Sequence, residues 1–241
     1  LNLLQSEELP WKTPGGALIT SGEFHQNLDI ALETAKWENK NERRIQALEN
    51  GRLYGIGLAI YAENDGSTPT EFSEISVSSA GCITAMVGTQ DFGMGHNTMY
   101  AQILSEKLGV TMEEIDVVFG DTDKVKRGAG SHGSRSARMG GTAAVMSADK
   151  VIQRARNEAA EILEAAIDDI EFIEGHFVVT GTDRSVTLYQ VAASIESNGG
   201  RLAEEADFNA GPEVISNGVH ICELTIEPSD GTIHLEIYYV V

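Results

Sequence analysis

Apolar residues alternate with polar ones in some stretches of the chain and recur every three or four positions in others, which predicts strands interleaved with helices. Five helices are predicted, at residues 21–37, 42–49, 96–108, 144–167 and 188–194. Strands are predicted at residues 53–62, 75–78, 82–87, 115–119, 172–179, 219–226 and 232–241. This mixed order favours an α+β (mixed α/β) fold with hairpin-rich mixed sheets and packed helices over a strict series of βαβ units.

Size and charge restrict the functions that the chain can have. It has 241 residues with a formal net charge of −20, so the backbone of nucleic acids and anionic membrane surfaces are both repelled. We expect neither a nucleic-acid partner nor membrane insertion. The two cysteines, Cys82 and Cys222, are too few for a disulfide scaffold and lie in apolar stretches, so we expect them in the core.

The ends of the sequence resemble cut ends. The chain starts at Leu1 and finishes on the apolar run 237–241, which would leave a hydrophobic strand edge. We therefore expect a segment truncated at both ends. Within it, residues 1–50 are interpreted as a helical lead-in and residues 51–241 as the main domain.

Two glycine-rich loops are the strongest candidates for a binding site. The first glycine loop, residues 88–98, reads GTQDFGMGHNT, and the second glycine loop, residues 128–136, reads GAGSHGSRS. Each follows a predicted strand and leads towards a helix. Helix N-termini carry unpaired N–H groups and positive partial charge, and glycine allows close approach to a ligand. This arrangement is typical of sites for phosphates and other anions.

The charges around the second glycine loop also favour an anion-binding site. Between Lys124 and Ala148 there is no acidic residue, whereas five basic residues occur there: Lys124, Lys126, Arg127, Arg135 and Arg138. An electropositive site in an acidic chain favours a small anionic ligand. The alternative is that serines cap helices here and glycines only form turns. For His96, a helix-start role and a ligand contact remain equally open.

Other motifs carry less weight. Residues 128–133 match G-x-G-x-x-G, but a long helix occupies the span in which a dinucleotide-binding unit needs its second strand and acidic residue. There is no C-x-x-C pair and no pair of histidines four residues apart, so a metal site made of side chains is not expected. His132 is interpreted as a hydrogen-bond donor within its loop.

The two loops resemble segments of a known family. Residues 88–98 are similar to the Gly-Thr-Gln-x-x-Gly-Gln-Gly-His-x-Thr segment of molybdenum hydroxylase large subunits, the group of xanthine dehydrogenase, aldehyde oxidase and aerobic carbon monoxide dehydrogenase. Residues 120–123 and 128–136 resemble that family's Gly-Asp-Thr-Asp and Gly-x-Gly-x-x-Gly-Ser-Arg-Ser. The likeness continues at residues 52–58, 181–186 and 227–241, and the bacterial carbon monoxide dehydrogenase-like branch resembles the chain most.

This resemblance implies a fold of the molybdopterin-binding domain type and a cofactor, the molybdopterin cytosine dinucleotide. Its molybdenum would be held by the pterin dithiolene, so the protein itself would supply no metal ligand. The residues that the resemblance places on the cofactor are Gly93, Met94, Gly95, His96, Gly133, Ser134, Arg135 and Ser136. Met94 stands where the family usually has glutamine, and its thioether cannot replace an amide donor.

The resemblance also implies the surroundings of the segment. The parent would be a molybdenum-dependent oxidoreductase that hydroxylates a small-molecule substrate with oxygen from water, in the cytoplasm. Its partners would be the remainder of the large subunit and separate iron–sulfur and FAD subunits, with a homodimer of heterotrimers as the candidate assembly. The family's catalytic glutamate lies beyond Val241, so no catalytic residue is named here and the isolated chain is predicted to be inactive.

Two other functions remain open at this point. The chain could be a non-catalytic module that binds a phosphorylated ligand through the same loops. It could also be a structural domain in which the glycines form turns only.

Overall fold

A computed structural model describes residues 2–66, 68–211 and 214–241 of the chain. Its five α-helices are α1 (Phe24–Thr34), α2 (Lys40–Glu49), α3 (His96–Leu108), α4 (Gly141–Ile162) and α5 (Leu188–Ser197). The strands of its first half are β1 (Trp11–Lys12), β2 (Leu18–Ile19), β3 (Leu53–Asp65), β4 (Thr70–Ser78), β5 (Cys82–Val87) and β6 (Ile115–Val118). Those of its second half are β7 (Ile170–Ile173), β8 (His176–Val179), β9 (Ser185–Thr187), β10 (Leu202–Asn209), β11 (Val214–Ile226) and β12 (Ile233–Val240). The predicted mixture of hairpins and helices is confirmed.

The chain folds into two compact units, Leu1–Asp65 with Pro212–Val241, and Gly66–Gly211. The predicted division after residue 50 stays a prediction. The first unit contains an antiparallel sheet of order β12-β11-β3. Helix α1 packs on this sheet through Ala31, and Ala35 follows directly after the helix; both lie with Val219 and Ile221 in a small core. Short β1 and β2 form a separate antiparallel pair.

The second unit contains both glycine loops. Its four-stranded sheet has the order β10-β4-β5-β6, in which β5 and β6 are parallel and the other pairs are antiparallel. Helix α3 connects the two parallel strands, and α4 packs on the sheet through an alanine-rich stripe. Because alanine side chains are short, the helix can lie close to the strands. A smaller sheet of order β7-β8-β9 completes the unit.

The long helix differs from its prediction at both ends. A π-helical turn, Ser136–Gly140, precedes α4, so the helical path begins directly after the second glycine loop. Helix α4 ends five residues before the predicted end, since Glu164 adopts a left-handed φ of 47°. Helix α1 is also shorter than predicted, because Lys36 adopts a φ of 45°. A single residue with positive φ is enough to end a helix.

Two other predictions are corrected. Strand β10 was not predicted, although it pairs along its length with β4. Neither cysteine lies in the core: Cys82 is exposed beside the Gly81 turn, and Cys222 is half-buried. Among the described residues, no helix is both long and apolar enough to cross a bilayer.

Candidate functional site

The two glycine loops meet because they follow neighbouring parallel strands. The first glycine loop begins directly after Val87 at the end of β5, and residues 119–127 lead from the end of β6 into the second. The carboxyl ends of parallel strands lie at the same edge of a sheet, where α/β folds place their ligand sites. The parallel pairing, which sequence analysis did not predict, therefore brings the two loops to one edge.

Glycines allow the two loop backbones to touch. Gly130 N donates a hydrogen bond of 3.1 Å to Gly88 O. A Cβ atom at Gly88 or at Gly128 would overlap the backbone of the other residue. Glycine is required at this crossing because any side chain would separate the loops.

Ser131 links the loops through hydrogen bonds as well. Its hydroxyl accepts from Gln90 N at 2.9 Å and donates to Gln90 O. Ser136 Oγ donates to Ser131 Oγ at 2.9 Å, and His96 Nδ1 lies 2.9 Å from Gln90 O. Gln90 of the first loop is thus held by the side chains of Ser131 and His96, which lie on different segments of the chain. The relative position of the loops is set by direct contacts.

A cavity of about 450 Å³ lies between the loops. This volume is within the range of ordinary ligand pockets, roughly 300–1,000 Å³. Its lining consists of Phe92, Met94, His96, Ser131, His132, Gly133, Ser134, Arg135, Ser136 and Ala137. Six of the eight predicted site residues therefore surround one space, while Gly93 and Gly95 do not line it. These two glycines have φ values of 113° and 76°, so they shape the turn instead.

Asp91 occupies the N-terminus of α3. Its carboxylate accepts hydrogen bonds from Gly93 N at 2.8 Å, from Met94 N at 2.9 Å and from Asn97 N at 3.2 Å. These bonds, the one from Gly93 above all, lower the pKa of Asp91 below its ordinary value. The amides of Gly93 and Met94 are therefore taken by an internal anion. The first loop therefore does not present unpaired N–H groups at these two positions.

Most of the basic residues near the second loop are neutralised. Lys126 Nζ lies 2.8 Å from Glu74 and 2.6 Å from Glu205, and Arg127 makes a two-bond contact with Asp207. Lys124 lies 3.4 Å from Asp121. Because β10 was not predicted, its acidic partners were not anticipated. The acid-free window of the sequence therefore does not produce the local electropositive site that was expected.

The side chain of Arg135 faces the interior and not the cavity. Its guanidinium pairs with Glu71, and both side chains are 0% exposed. It also donates to Gly130 O at 2.9 Å and to Thr70 O at 2.7 Å. Arg135 can therefore contribute only its backbone to a ligand in the cavity. The other lining residues of the second loop are His132 and the small residues Ser131, Gly133, Ser134 and Ser136.

A buried tyrosine connects the elements that form the cavity. Tyr100 of α3 is fully buried, and its hydroxyl lies 2.7 Å from Thr89 Oγ1 and donates to Ser136 O at 3.0 Å. Burial raises the pKa of Tyr100 to about 12, so this hydroxyl stays protonated and remains a donor. The first loop, helix α3 and the π-helical turn are thus connected through one side chain.

The two histidines of the glycine loops, His96 and His132, both line the cavity. His132 Nε2 lies 3.1 Å from Ala129 O, which confirms the predicted role of a donor within its loop. His96 is the first residue of α3, which shows the helix-start position, and it also lines the cavity. A contact between His96 and a ligand stays a prediction. The residues that sequence analysis missed are Glu71, Asp91, Tyr100 and Ser131. Only Asp91 carried a local signal, an aspartate two residues before a glycine, which is typical of a side-chain-capped turn.

A second cavity, of about 460 Å³, lies in the other unit. Both of its arginines are paired with carboxylates: Arg43 Nε lies 2.7 Å from Glu223, which also lines the cavity, and Arg52 Nε lies 2.6 Å from Glu227, which does not. Among the described residues there is no cluster of histidine, cysteine, aspartate and glutamate that could hold a metal ion. The cavity between the glycine loops is therefore the better candidate site.

Comparisons with known proteins show which family the chain belongs to. A family model described as the molybdopterin cofactor-binding domain matches residues 30–241. The chain is 34% identical to the 6-hydroxypseudooxynicotine dehydrogenase complex subunit gamma of Paenarthrobacter nicotinovorans, over 95% of the chain and 30% of that protein. It is 32% identical to the carbon monoxide dehydrogenase large chain of Hydrogenophaga pseudoflava, over 76% of the chain and 24% of that protein.

A solved structure gives the same result for the fold. The chain superposes on carbon monoxide dehydrogenase from Oligotropha carboxidovorans with a TM-score of 0.79 and 26% identity, over 98% of the chain and 32% of that structure. The chain therefore spans about a quarter to a third of the length of these relatives. The predicted family resemblance and fold are confirmed, and the alternative of a phosphorylated-ligand module gains no support from these relatives.

Proposed function

The chain belongs to the molybdopterin cofactor-binding domain family, and from this premise we propose that it is the cofactor-binding segment of the large subunit of a molybdenum-dependent hydroxylase. The observation that carries the proposal is the convergence of the two glycine loops on one cavity at the carboxyl ends of β5 and β6. The likeness to the two dehydrogenase subunits supports the reaction class.

The residues around the cavity fit part of such a cofactor. Phe92 and Met94 are 69% and 44% exposed at its rim, and they offer an apolar surface to a flat ring system. Gly133, Ser134 and Ser136 also line the cavity, and such small residues let a cofactor approach the backbone. Gly93 and Gly95 would act by shaping the first loop, and His96 by presenting its ring to the cavity. Arg135, whose side chain is buried, would act by holding the second loop in place.

Met94 can hold a ring system by van der Waals contact and not by hydrogen bonding. Its backbone N–H is held by Asp91, and its thioether is polarisable and flexible. We propose that Met94 packs against the ring system, where the family's usual glutamine would donate a hydrogen bond. The bound group would be the molybdopterin cytosine dinucleotide, which supplies the redox-active molybdenum when it is bound. The chain's own residues bind and orient the group.

The rest of the proposal concerns the parent protein. We propose that it resides in the cytoplasm and that the remainder of the large subunit supplies the catalytic base. Iron–sulfur and FAD subunits would receive the electrons from oxidation of a small organic substrate, in a homodimer of heterotrimers. Because these parts lie outside this chain, the isolated chain is predicted to show no turnover with a dye acceptor. Measurable turnover by residues 1–241 alone would contradict the proposal.

The direct test is the molybdenum content of the full-length polypeptide, produced with molybdate and its partner subunits. We expect close to one molybdenum and one pterin per polypeptide, with the pterin measured by the fluorescence of its oxidised form. Release of a cytosine nucleotide after mild acid hydrolysis would identify the dinucleotide form. A folded polypeptide without metal and without pterin would overturn the proposal.

A further inference from the structure

We infer that Glu71 is a positioning residue for the cofactor cavity and that it sets the spacing of the two glycine loops through Arg135. The inference rests on the proposed function, because it concerns the same cavity. Glu71 lies on β4, outside both loops, and it does not line the cavity. Its effect would therefore be transmitted through the residues that it holds.

One carboxylate touches both loops. Glu71 Oε1 accepts a hydrogen bond of 2.9 Å from Phe72 N and lies so close to Gly88 that a Cβ atom there would overlap it. The other oxygen accepts from Arg135 Nη1 in the second loop. The carboxylate is thus a spacer between the start of the first loop and the end of the second. Its own position is set by the backbone of β4.

Arg135 extends this contact along the second loop. Its Nη1 atom also donates to Gly130 O, and its Nη2 atom donates to Thr70 O. The guanidinium is a rigid, planar fork, so its donors fix the directions of several partners at once. Gly130 in turn donates to Gly88 O. A closed ring of contacts therefore runs from β4 through the second loop and back to the first.

Stability alone does not explain why a charged pair is placed here. Both side chains are completely buried, and taking two charges out of water costs much of what their attraction returns. Apolar residues of similar volume often stabilise such a position as well or better. A fixed geometry, which apolar side chains do not impose, is what the ion pair adds. The cavity wall from Gly133 to Ser136 is the part of the chain that this geometry serves.

The test compares three variants of the full-length polypeptide. Glu71→Gln keeps the shape and removes the charge, whereas Arg135→Lys keeps the charge and removes the fork. Glu204→Gln is the matched control, because Glu204 lies on β10 of the same sheet, outside both loops, and forms an ion pair of 3.1 Å with Arg154 of α4. Two quantities are measured on the monodisperse, folded fraction of each: pterin and molybdenum per polypeptide, and hydrogen–deuterium exchange of residues 88–98 and 128–136 before cofactor loading.

We expect Arg135→Lys to fold, to exchange at least tenfold faster in both loops and to retain less than a fifth of the wild-type pterin. Glu71→Gln is expected to give the same two changes where it folds, and Glu204→Gln to give neither. A purely structural role would make Arg135→Lys resemble wild type in both measurements, because the buried charge stays paired, and this result would overturn the inference. A wild-type protein without pterin would refute the proposed function, and the exchange measurement would still decide the inference.

Discussion

The carboxylate of Asp91 is bound by backbone amides, so its titration controls the start of α3. Its pKa is lowered by the bond from Gly93 N. The contribution of Asp91 to loop stability is therefore complete above about pH 4, near the ordinary pKa of an aspartate, and it is lost as the pH falls through the lower folded value. We expect the amide resonances of Gly93 and Met94 to shift together with a midpoint below 3.9, the ordinary value.

The measurement is an NMR titration of labelled protein from about pH 6 downwards. Asp91→Asn provides the control, since an amide side chain does not titrate and both shifts should vanish. A wild-type midpoint at or above the ordinary aspartate value would show that the carboxylate is not held by these amides.

Gly140 allows Tyr100 to reach the π-helical turn. A Cβ atom at Gly140 would overlap the Tyr100 hydroxyl, so Gly140→Ala should displace a buried side chain that links two segments. We expect the free energy of unfolding to fall by about 2–4 kcal/mol, which combines overpacking with a lost buried hydrogen bond. Chemical denaturation measures the change.

Gly141→Ala is the matched control for this substitution. The next glycine is also helical, and its added Cβ atom would meet only the flexible end of Ile103, at 3.2 Å. Alanine also has the higher helix propensity. We expect a change within about 1 kcal/mol in either direction. Equal losses from the two variants would contradict the specific role assigned to Gly140.

At the scale of elements, the hydroxyl of Ser131 holds the first glycine loop to the second. Ser131→Ala removes both of its bonds to Gln90 and should lower protection of the Gln90 amide against hydrogen exchange by about tenfold or more, the equivalent of 1–2 kcal/mol. Ser136→Ala serves as the comparison, because Ser136 Oγ bonds to Ser131 and not to Gln90. Unchanged Gln90 exchange in Ser131→Ala would show that the loops are held together by other contacts.

The elements that sequence analysis predicted well are those with local signals at their ends. Helix α3 was predicted to start near His96 from its apolar stripe and to end at Gly109, and the structure gives His96–Leu108, with Gly95 and Gly109 in the left-handed region on either side. Strand β5 was predicted from alternation and the Gly81 turn. Strand β10 was missed because its centre is acidic, with Glu204, Glu205 and Asp207, and acidic residues are uncommon in strands.

The candidate site was predicted only in part, because only some of its residues carry a local sequence signal. The loops carry glycine patterns, so Met94, His96 and residues 133–136 could be selected from the sequence. The inward direction of Arg135 could not be predicted, because it depends on Glu71, which lies 64 positions earlier in the chain. The pairing of Lys126 and Arg127 depends likewise on a strand about 80 positions later. Contacts over such separations leave no local pattern.

At the scale of the whole molecule, the large negative charge should dominate the response to salt. The chain has a net charge of −20, whereas most of its ion pairs are partly exposed and are worth about 0–1 kcal/mol each. Salt screens repulsion among distant surface charges within a Debye length of about 10 Å at 0.1 M. We therefore expect the melting temperature at pH 7.5 to rise by several degrees between about 10 and 200 mM NaCl.

The control for this prediction is a change of pH. At pH 4.5, close to the calculated isoelectric point, the net charge is small and the rise should largely disappear. A melting temperature that falls with salt at pH 7.5 would mean that the ion pairs outweigh the repulsion. Scanning calorimetry in NaCl and KCl distinguishes screening from a specific ion effect.

The distance along the chain between the second loop and β10 has a consequence for biosynthesis. Lys126 and its partner Glu205 are 79 positions apart, and Arg127 and Asp207 are 80 apart. A ribosome that adds about 5–20 residues per second needs roughly 4–16 s to cover that interval. During this time the nascent loops carry cations that β10 does not yet neutralise. The two ion pairs that connect the approach to the second loop with the sheet edge therefore form only after β10 has left the ribosome.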